Sequence, residues 1–250
     1  MDVYKHPLYF EIAFSFRDIS QEVDFFEAAI KKFSRRKVRK VLELASGTSP
    51  YLEEWHKRGY QYLGVDVSPN MLGFCRRKAK EQNIRIKLFR RNMTDFSLGG
   101  IKVDLAYVLL GSLYVKSNKE FFTHLDSVAR VLKRGGLYLL DGVVWVKLLN
   151  DNKQSWAMRK SRIVVKTTYQ AEIIDPLTEM YHEFLTLQIR DHGKKKTLES
   201  KVPLKFFFPQ EFLSLVQWHA KFEFLGWFNN FNLHEIAKAK GRQIVILRRR

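Results

Sequence analysis

Hydrophobic and polar positions follow one pattern up to about residue 143 and a different pattern after about residue 150. In the first part, short apolar runs alternate with longer amphipathic segments, which is typical of β-α-β units in a parallel sheet. The runs predicted as strands are Lys40–Ala45, Tyr60–Asp66, Arg85–Arg91, Asp104–Leu110 and Leu137–Val143. The segments predicted as helices are Ile19–Phe33, Pro50–Lys57, Pro69–Gln82 and Lys119–Leu132. The sequence therefore predicts an α/β fold built on a doubly wound, mostly parallel sheet.

The part of the chain after residue 150 has an antiparallel pattern. Three segments rich in β-branched and aromatic residues are separated by turn sequences: Ser161–Ile174, Thr178–Asp191 and Thr197–Phe208. They are followed by a predicted helix, Pro209–Ala220, and by two closing strands that bring the main sheet to seven, Phe222–Trp227 and Arg242–Arg249. We expect a core of residues 1–150 and 206–250, with residues 151–205 inserted as an antiparallel β lid.

Composition is typical of a soluble globular protein except for its charge. Of the 250 residues, 46% are hydrophobic and 28% are charged, but 44 Lys and Arg against 26 Asp and Glu leave a net charge of +18. Such an excess permits binding to nucleic acid without identifying it as the partner. The apolar stretches are too short to span a bilayer and no secretory signal is recognisable, so we expect a cytoplasmic protein without a membrane partner.

Metal and disulfide chemistry are not indicated by the sequence. Cys75 is the only cysteine, so neither an intrachain disulfide nor a cluster of thiolates is expected. The seven histidines show no spacing typical of metal ligands. We therefore predict no metal site.

The stretch from Val41 to Trp55 predicts a ligand-binding loop between a strand and a helix. Five small residues follow the strand, Ala45 to Ser49, and small residues let a backbone approach a ligand closely. Asp66 ends the next predicted strand 19 residues after Gly47, near the spacing at which an acid meets a ribose in doubly wound folds. A dinucleotide site would need the pattern Gly-x-Gly-x-x-Gly, of which only Gly47 is present.

These segments resemble successive motifs of the class I S-adenosylmethionine-dependent methyltransferases. The resembling segments are Glu43–Gly47, Gly64–Leu72, Asn92–Phe96, Asp104–Val108 and Leu132–Tyr138. The resemblance covers about residues 8–143 and implies a Rossmann-like methyltransferase fold with S-adenosyl-L-methionine as the cofactor. The insertion after the fifth strand is similar to that of small-molecule N-methyltransferases, in which an antiparallel lid covers the acceptor site.

The resemblance also implies roles for individual residues. A place near the methionine part of the cofactor is implied for Tyr9, Arg17, Glu43, Ala45, Gly47 and Leu109, with Arg17 pairing with its carboxylate. Asp66 would accept hydrogen bonds from both ribose hydroxyls. Contact with the adenine is implied for Val67, Met71, Asn92 and Met93. One departure is Ser49, followed by Pro50, where the family has a second glycine.

The predicted function is transfer of the cofactor's methyl group to a small-molecule acceptor by in-line displacement. Candidates on the acceptor side are Tyr114, Asp141, Tyr181 and His182, none of which belongs to a recognisable catalytic constellation. The net charge of +18 leaves an RNA methyltransferase as one alternative. The pair Ser49-Pro50 leaves a catalytically silent binding protein as another. The acceptor atom, the general base and the oligomeric state stay open at this point.

Overall fold

The computed structural model describes residues 2–145, 152–236 and 241–250, which form two β-sheets and six helices. The strands are β1 (Lys40–Leu44), β2 (Gln61–Asp66), β3 (Lys87–Arg90), β4 (Val103–Val108), β5 (Leu132–Asp141), β6 (Asn152–Lys160), β7 (Ile163–Asp175), β8 (Met180–Asp191), β9 (Lys194–Lys205), β10 (Phe222–Asn229), β11 (Asn232–Ile236) and β12 (Gln243–Arg249). The helices are α1 (Pro7–Ala13), α2 (Ile19–Phe33), α3 (Leu52–Lys57), α4 (Pro69–Glu81), α5 (Asn118–Val131) and α6 (Pro209–His219).

The larger sheet has eight strands in the order β11-β10-β12-β5-β4-β1-β2-β3. Strands β1 to β5 run parallel to one another, whereas β12 pairs antiparallel with both β5 and β10. The smaller sheet, β6 to β9, is an antiparallel meander, which we call the lid sheet. The predicted fold class, a mostly parallel sheet with an inserted antiparallel lid, is confirmed. The division at residues 150 and 206 into core and lid units stays a prediction.

Two strands were missing from the sequence prediction of seven core strands and three lid strands. Strand β11 follows β10 after a turn at Asn230 and Phe231, which both have positive φ angles, 49° and 54°. Such turns usually carry glycine, so this sequence gave no hairpin signal. Strand β6 is polar along much of its length and is held by continuous pairing with β7.

Side chains alternate between the two faces of the larger sheet and build two apolar layers. Leu42 and Leu44 of β1 pack in the layer covered by α5 and α6. Val41 packs in the layer covered by α2, α3 and α4, which contains Trp55 and Cys75. Helices therefore cover both faces, as in a doubly wound fold. Within the described ranges, no helix has the length and apolar character needed to cross a membrane.

The N-terminal helix α1 packs against the lid sheet. Ile12 and Ala13 of α1 form an apolar cluster with residues of the lid strands, among them Leu187 and Leu198. The indole nitrogen of Trp156 in β6 donates a hydrogen bond to the carbonyl of Ala13 at 2.7 Å. Helix α1 and the lid sheet thus share one apolar cluster.

Candidate active site

A cavity of about 1020 Å³ lies at the carboxyl ends of the central strands, where open α/β sheets bind ligands. The sheet contributes Ala45 after β1, Asp66 at the end of β2 and Leu109 after β4. The lid sheet and the N-terminal segment complete the wall with Tyr169, Glu183, Leu185, Val202, Tyr4, Phe10 and Phe14. The cavity is therefore bounded by the loops of the sheet on one side and by the lid and α1 on the other.

The Asp66 carboxylate joins two loops at the cavity wall. One oxygen accepts a hydrogen bond from the Gly47 backbone N–H at 2.8 Å, and the other accepts one from the Ser68 N–H at 2.8 Å. Burial raises the pKa of Asp66, while these backbone hydrogen bonds act in the opposite direction. The side chain is therefore fixed in orientation and faces the cavity from the end of β2.

The loop after β1 has an unusual backbone conformation. Ala45, Gly47 and Ser49 all have positive φ angles, 49°, 51° and 53°. Glycine adopts this region freely, whereas another residue there costs about 1 kcal/mol. Ser49 keeps the conformation that glycine would adopt, and its Oγ lies 2.8 Å from the Tyr62 hydroxyl oxygen. The serine therefore does not change the backbone conformation of the loop, although the methyltransferases that the sequence resembles have glycine at this position.

Gly64 lets strand β2 lie close beneath this loop. A Cβ atom at this position would stand 2.9 Å from Ser46 Oγ and 2.8 Å from the Leu88 side chain. Real side chains do not approach so closely without displacement of their neighbours. The glycine therefore fixes the distance between β2 and the loop that lines the cavity.

Glu43 places a buried carboxyl group at the inner end of the cavity. The Tyr62 hydroxyl donates a hydrogen bond to it. Burial raises the Glu43 pKa to about 8, although the Tyr62 hydrogen bond and the positive charges of Arg17 and Lys78 lower it. The site is therefore prepared to receive positive charge, which would stabilise the ionised carboxylate.

We expect Glu43→Gln to flatten the pH dependence of stability between about pH 5 and pH 8. The folded-state pKa of about 8 lies above the ordinary value of 4.5, so the folded protein retains a proton that the unfolded chain has released. The Glu43 contribution to stability is therefore complete below pH 4.5 and is lost as the pH rises through 8. Urea denaturation at several pH values measures the difference. Glu81→Gln, at an exposed position, is the control and should leave the wild-type slope unchanged; an unchanged slope in Glu43→Gln would contradict the prediction.

Arg17 lines the cavity but is already engaged in an ion pair. Its guanidinium contacts Glu22 through two nitrogens, at 2.6 and 3.3 Å, and its side chain is 5% exposed. It also lies 4.7 Å from the centre of the Tyr51 ring. Glu22 further accepts hydrogen bonds from Tyr51 and from Arg242, the latter at 2.8 Å. The predicted pairing of Arg17 with the cofactor carboxylate would therefore share this cation with Glu22.

The structure brings most of the predicted site residues together. The cavity is lined by Arg17, Glu43, Ala45, Gly47, Asp66, Val67, Asn92, Met93, Leu109 and Tyr114. Two of the predicted cofactor contacts lie outside this lining. The Tyr9 hydroxyl donates to Asp191 of the lid sheet at 2.8 Å, and Met71 of α4 is buried in the core.

Three acceptor-side candidates also lie outside the lining. Asp141 is 1% exposed, pairs with Arg242 and accepts a hydrogen bond from the Leu110 backbone N–H at 2.9 Å. Tyr181 is buried beside Trp145, with ring centres 4.8 Å apart. His182 follows Tyr181 on β8 and therefore points to the opposite face of the lid sheet. Their roles, like those of the lining residues, stay predictions.

Glu183 and Tyr4 line the cavity and were not predicted as site residues. The Tyr114 hydroxyl donates to Glu183 at 3.3 Å and lies 2.7 Å from the Tyr4 hydroxyl. Burial raises the Glu183 pKa to about 7, opposed by the Tyr114 hydrogen bond. One signal was available in the sequence. Alternate positions of β8 are apolar and buried from Tyr181 to Ile189, and Glu183 is the acidic exception on that face.

The family model of a methyltransferase domain matches residues 41–136, the stretch that contains Gly47, Asp66 and Leu109. This stretch is therefore similar to a methyltransferase domain. The match begins at β1 and ends within β5, so it covers the parallel half of the central sheet. The lid sheet lies outside the matched residues of the methyltransferase domain.

Three similar proteins add to this match. A provisionally named methyltransferase of Geobacillus sp. (strain WCH70) is 30% identical over 118 residues, which is 47% of each chain. The chain thus spans about half the length of the curated relatives it matches. An S-adenosylmethionine-dependent methyltransferase from Clostridium acetobutylicum has a similar structure, with a TM-score of 0.79, 17% identity and 96% of each chain covered. The amino pentose methyltransferase CalS10 from Micromonospora echinaspora covers 96% of each chain with a TM-score of 0.73 and 16% identity. The shared fold therefore includes the lid.

Proposed function

We propose that this chain transfers the methyl group of S-adenosyl-L-methionine to a small-molecule acceptor. The observation that carries the proposal is the place of Asp66, whose carboxylate is held at the end of β2 by two backbone hydrogen bonds and lines the cavity. A carboxylate at this point of a doubly wound sheet is suited to the hydroxyl pair of a ribose. The match of residues 41–136 to a methyltransferase domain supports the same cofactor.

The surroundings of Asp66 fit the remainder of S-adenosylmethionine. Among the described residues, Ser46 Oγ is buried at the cavity without a hydrogen-bond partner, so it has a free donor for a bound ligand. Glu43 offers a carboxyl group to a cationic ligand, and Val67 and Met93 offer apolar surface to an adenine. The cavity of about 1020 Å³ is at the upper end of the size range of small-molecule sites, so an acceptor fits beside the cofactor.

The chain's own residues would act mainly by orienting the reactants and excluding water. The cofactor, when bound, supplies a methyl group on a cationic sulfur, which is already activated for displacement. Phe10 and Phe14 of the N-terminal segment and Leu185 and Val202 of the lid place apolar groups around the cavity. A nucleophile held in line with the methyl group gains about 7 kcal/mol of barrier lowering from orientation in favourable cases.

The charge of the cavity favours a small molecule over RNA as the acceptor. Although the whole chain carries +18, seven acidic and six basic residues line the cavity. RNA binding would need an excess of cations along the groove to neutralise phosphates. The structural relative CalS10 acts on an amino pentose, which is a small molecule. Both the charge of the cavity and the substrate of CalS10 support a small-molecule acceptor.

Calorimetric titration with S-adenosylmethionine and S-adenosylhomocysteine tests this proposal. We expect saturable binding of both compounds, and no binding of NAD as the control, because the loop lacks the glycine pattern of a dinucleotide site. Absence of binding at millimolar cofactor would overturn the proposal. Binding of RNA with a steep salt dependence, together with methyl transfer to it, would replace the small-molecule acceptor by RNA.

A further inference from the structure

Four side chains form a polar cluster at the wall of the cavity that the lid and the N-terminal turn contribute. Tyr4, Tyr114, Tyr169 and Glu183 all line the cavity, and we call them the Glu183 cluster. The Tyr4 and Tyr114 hydroxyls are 2.7 Å apart, and the Tyr114 hydroxyl donates to Glu183 at 3.3 Å. The cluster therefore combines one carboxyl group with three phenols at a single wall of the cavity.

The cluster contacts the cofactor side of the cavity through the backbone. Ser68 Oγ donates to the Tyr4 carbonyl at 3.2 Å, and Ser68 is also the residue whose N–H binds the Asp66 carboxylate. Thr94 Oγ1 donates to the Tyr114 carbonyl at 3.4 Å, next to Met93 in the cavity wall. Two residues of the cluster are thus held directly against the segments that would bind the cofactor.

The groups that face Glu183 are tyrosines. They come from the N-terminal turn (Tyr4), from the loop after β4 (Tyr114), from β7 (Tyr169) and from β8 itself (Tyr181). The register partner of Glu183 on β9 is Val202, which is apolar. Burial raises the pKa of each of these four tyrosines, so their hydroxyls stay protonated. Glu183 is therefore the group of this wall that changes its charge near neutral pH.

Glu183 has no cationic partner within the described ranges 2–145, 152–236 and 241–250. The ion pairs formed there by Lys, Arg and His involve other carboxylates, and the Tyr114 hydroxyl is the side-chain partner of Glu183. A buried carboxylate with one long hydrogen bond is costly when ionised. Its free energy falls if a ligand brings a positive charge or a proton to it. The site therefore lacks one cationic or proton-donating partner.

We propose that Glu183 binds the amino group of the methyl acceptor and takes up the proton that this group must lose. The inference rests on the proposed function and names its acceptor as an amine. Glu183 would then be a catalytic residue, since it touches the reacting nitrogen. Tyr4, Tyr114 and Tyr169 would bind other polar groups of the same acceptor.

The reaction balances with these residues and the cofactor alone. An ammonium group transfers one proton to the Glu183 carboxylate and becomes a neutral amine with a free electron pair. That pair forms the new N–C bond to the methyl carbon while the C–S bond breaks, and the electrons of the broken bond remain on sulfur as a neutral thioether. The methylated nitrogen now carries the positive charge, and the proton on Glu183 leaves to solvent when the product departs.

An amine fits this wall better than other acceptors. A carboxylate acceptor would meet the negative charge of Glu183 at close range, which is unfavourable in a buried site. An alcohol is far too weak an acid to give its proton to a carboxyl group whose pKa is about 7. An ammonium group loses its proton near that range once burial has lowered its pKa. The carboxyl group and the amine are therefore matched as proton acceptor and donor.

Matched pairs of acceptors and one variant test the inference. The probes are glucosamine with glucose, tyramine with tyrosol, benzylamine with benzyl alcohol, and cyclohexylamine with cyclohexanol, each assayed with S-adenosylmethionine labelled in its methyl group. We expect label in amines and not in their hydroxyl counterparts. For a labelled amine, Glu183→Gln should lower kcat/KM by about 100-fold, the usual effect of losing a general base. We also expect kcat/KM of the wild type to rise between pH 6 and pH 8, because the pKa of Glu183 is about 7, and we expect this rise to be absent from Glu183→Gln.

The controls separate this inference from the proposed function. Glu172→Gln, the same change at an exposed position of the neighbouring lid strand, should keep the wild-type rate. Binding of S-adenosylhomocysteine to Glu183→Gln at wild-type affinity shows that the variant is folded. Suppose that the wild type binds the cofactor. The amine inference is then overturned if no amine is labelled, if the hydroxyl partners are labelled instead, or if Glu183→Gln retains the wild-type rate. In each of these cases the proposed function stands. If the wild type binds no cofactor, the proposed function itself is overturned.

Discussion

Asp66→Ala should weaken the binding of S-adenosylhomocysteine by about 100-fold. The variant loses a carboxylate that holds the Gly47 and Ser68 backbone N–H groups at 2.8 Å and that would accept hydrogen bonds from the ribose. Hydrogen bonds to a charged group contribute about 1.5–3 kcal/mol each. A net loss of about 2.7 kcal/mol corresponds to the 100-fold change, because each 1.4 kcal/mol is a factor of ten. Isothermal calorimetry with the wild type and the variant measures it.

Two companion variants define what the Asp66 result means. Asp66→Asn keeps one oxygen that can accept a hydrogen bond, so its loss of affinity should be smaller than that of the alanine variant. Asp95→Ala removes a carboxylate whose side chain is 68% exposed and which does not line the cavity, so it should bind as the wild type does. Equal affinities for wild type and Asp66→Ala, with both proteins folded, would remove Asp66 from the binding site.

Glu22→Ala should lower the free energy of unfolding by about 3 kcal/mol. The Glu22 side chain is 7% exposed and accepts from Arg17, Arg242 and Tyr51. Its removal leaves Arg17, which is 5% exposed, as a buried cation without this partner. Breaking one side of a buried ion pair costs about 3–5 kcal/mol. The lower end applies here because Arg242 is 32% exposed and reaches solvent. Urea denaturation followed by circular dichroism measures the loss.

The same helix provides the control for Glu22. Asp24 of α2 also forms an ion pair, with Arg58 at 2.6 Å, but its side chain is 66% exposed. Exposed pairs contribute about 0–1 kcal/mol, so Asp24→Ala should change stability by no more than that. A loss below 1 kcal/mol in Glu22→Ala would mean that the network around Arg17 contributes little to the fold.

The proximity of Gly47 and Asp66 was predictable because its signals are local. Gly47 and Asp66 lie 19 residues apart within one β-α-β unit, and their hydrogen bond follows from the way that unit folds. The order of small residues, strand and acid is visible in the sequence itself. The parallel strands were predictable for the same reason, since each apolar run is bounded by its own turn residues.

The Glu183 cluster was not predictable because its contacts join distant parts of the chain. The Tyr4–Tyr114 contact spans 110 positions and the Tyr114–Glu183 contact spans 69. Neither pair has a spacing rule, since the positions depend on how the lid and the N-terminal turn dock. Asp141, in contrast, was predicted on the acceptor side but lies outside the cavity lining. It ends β5 at the cavity edge of the sheet, but Arg242, 101 positions later, pairs with it at the adjacent antiparallel strand.

The packing of α1 on the lid sheet has a consequence for synthesis of the chain. Ile12 and Ala13 leave the ribosome before their apolar partners in the lid, which extend from Val165 to Leu198. The helix therefore lacks these partners until the lid strands have been made, and contacts of such long range form slowly. Exposed apolar surface on a growing chain favours aggregation. We therefore expect nascent chains that stop before Leu198 to be less soluble than chains that extend to Arg250, even though the loop after β1 is already present in them.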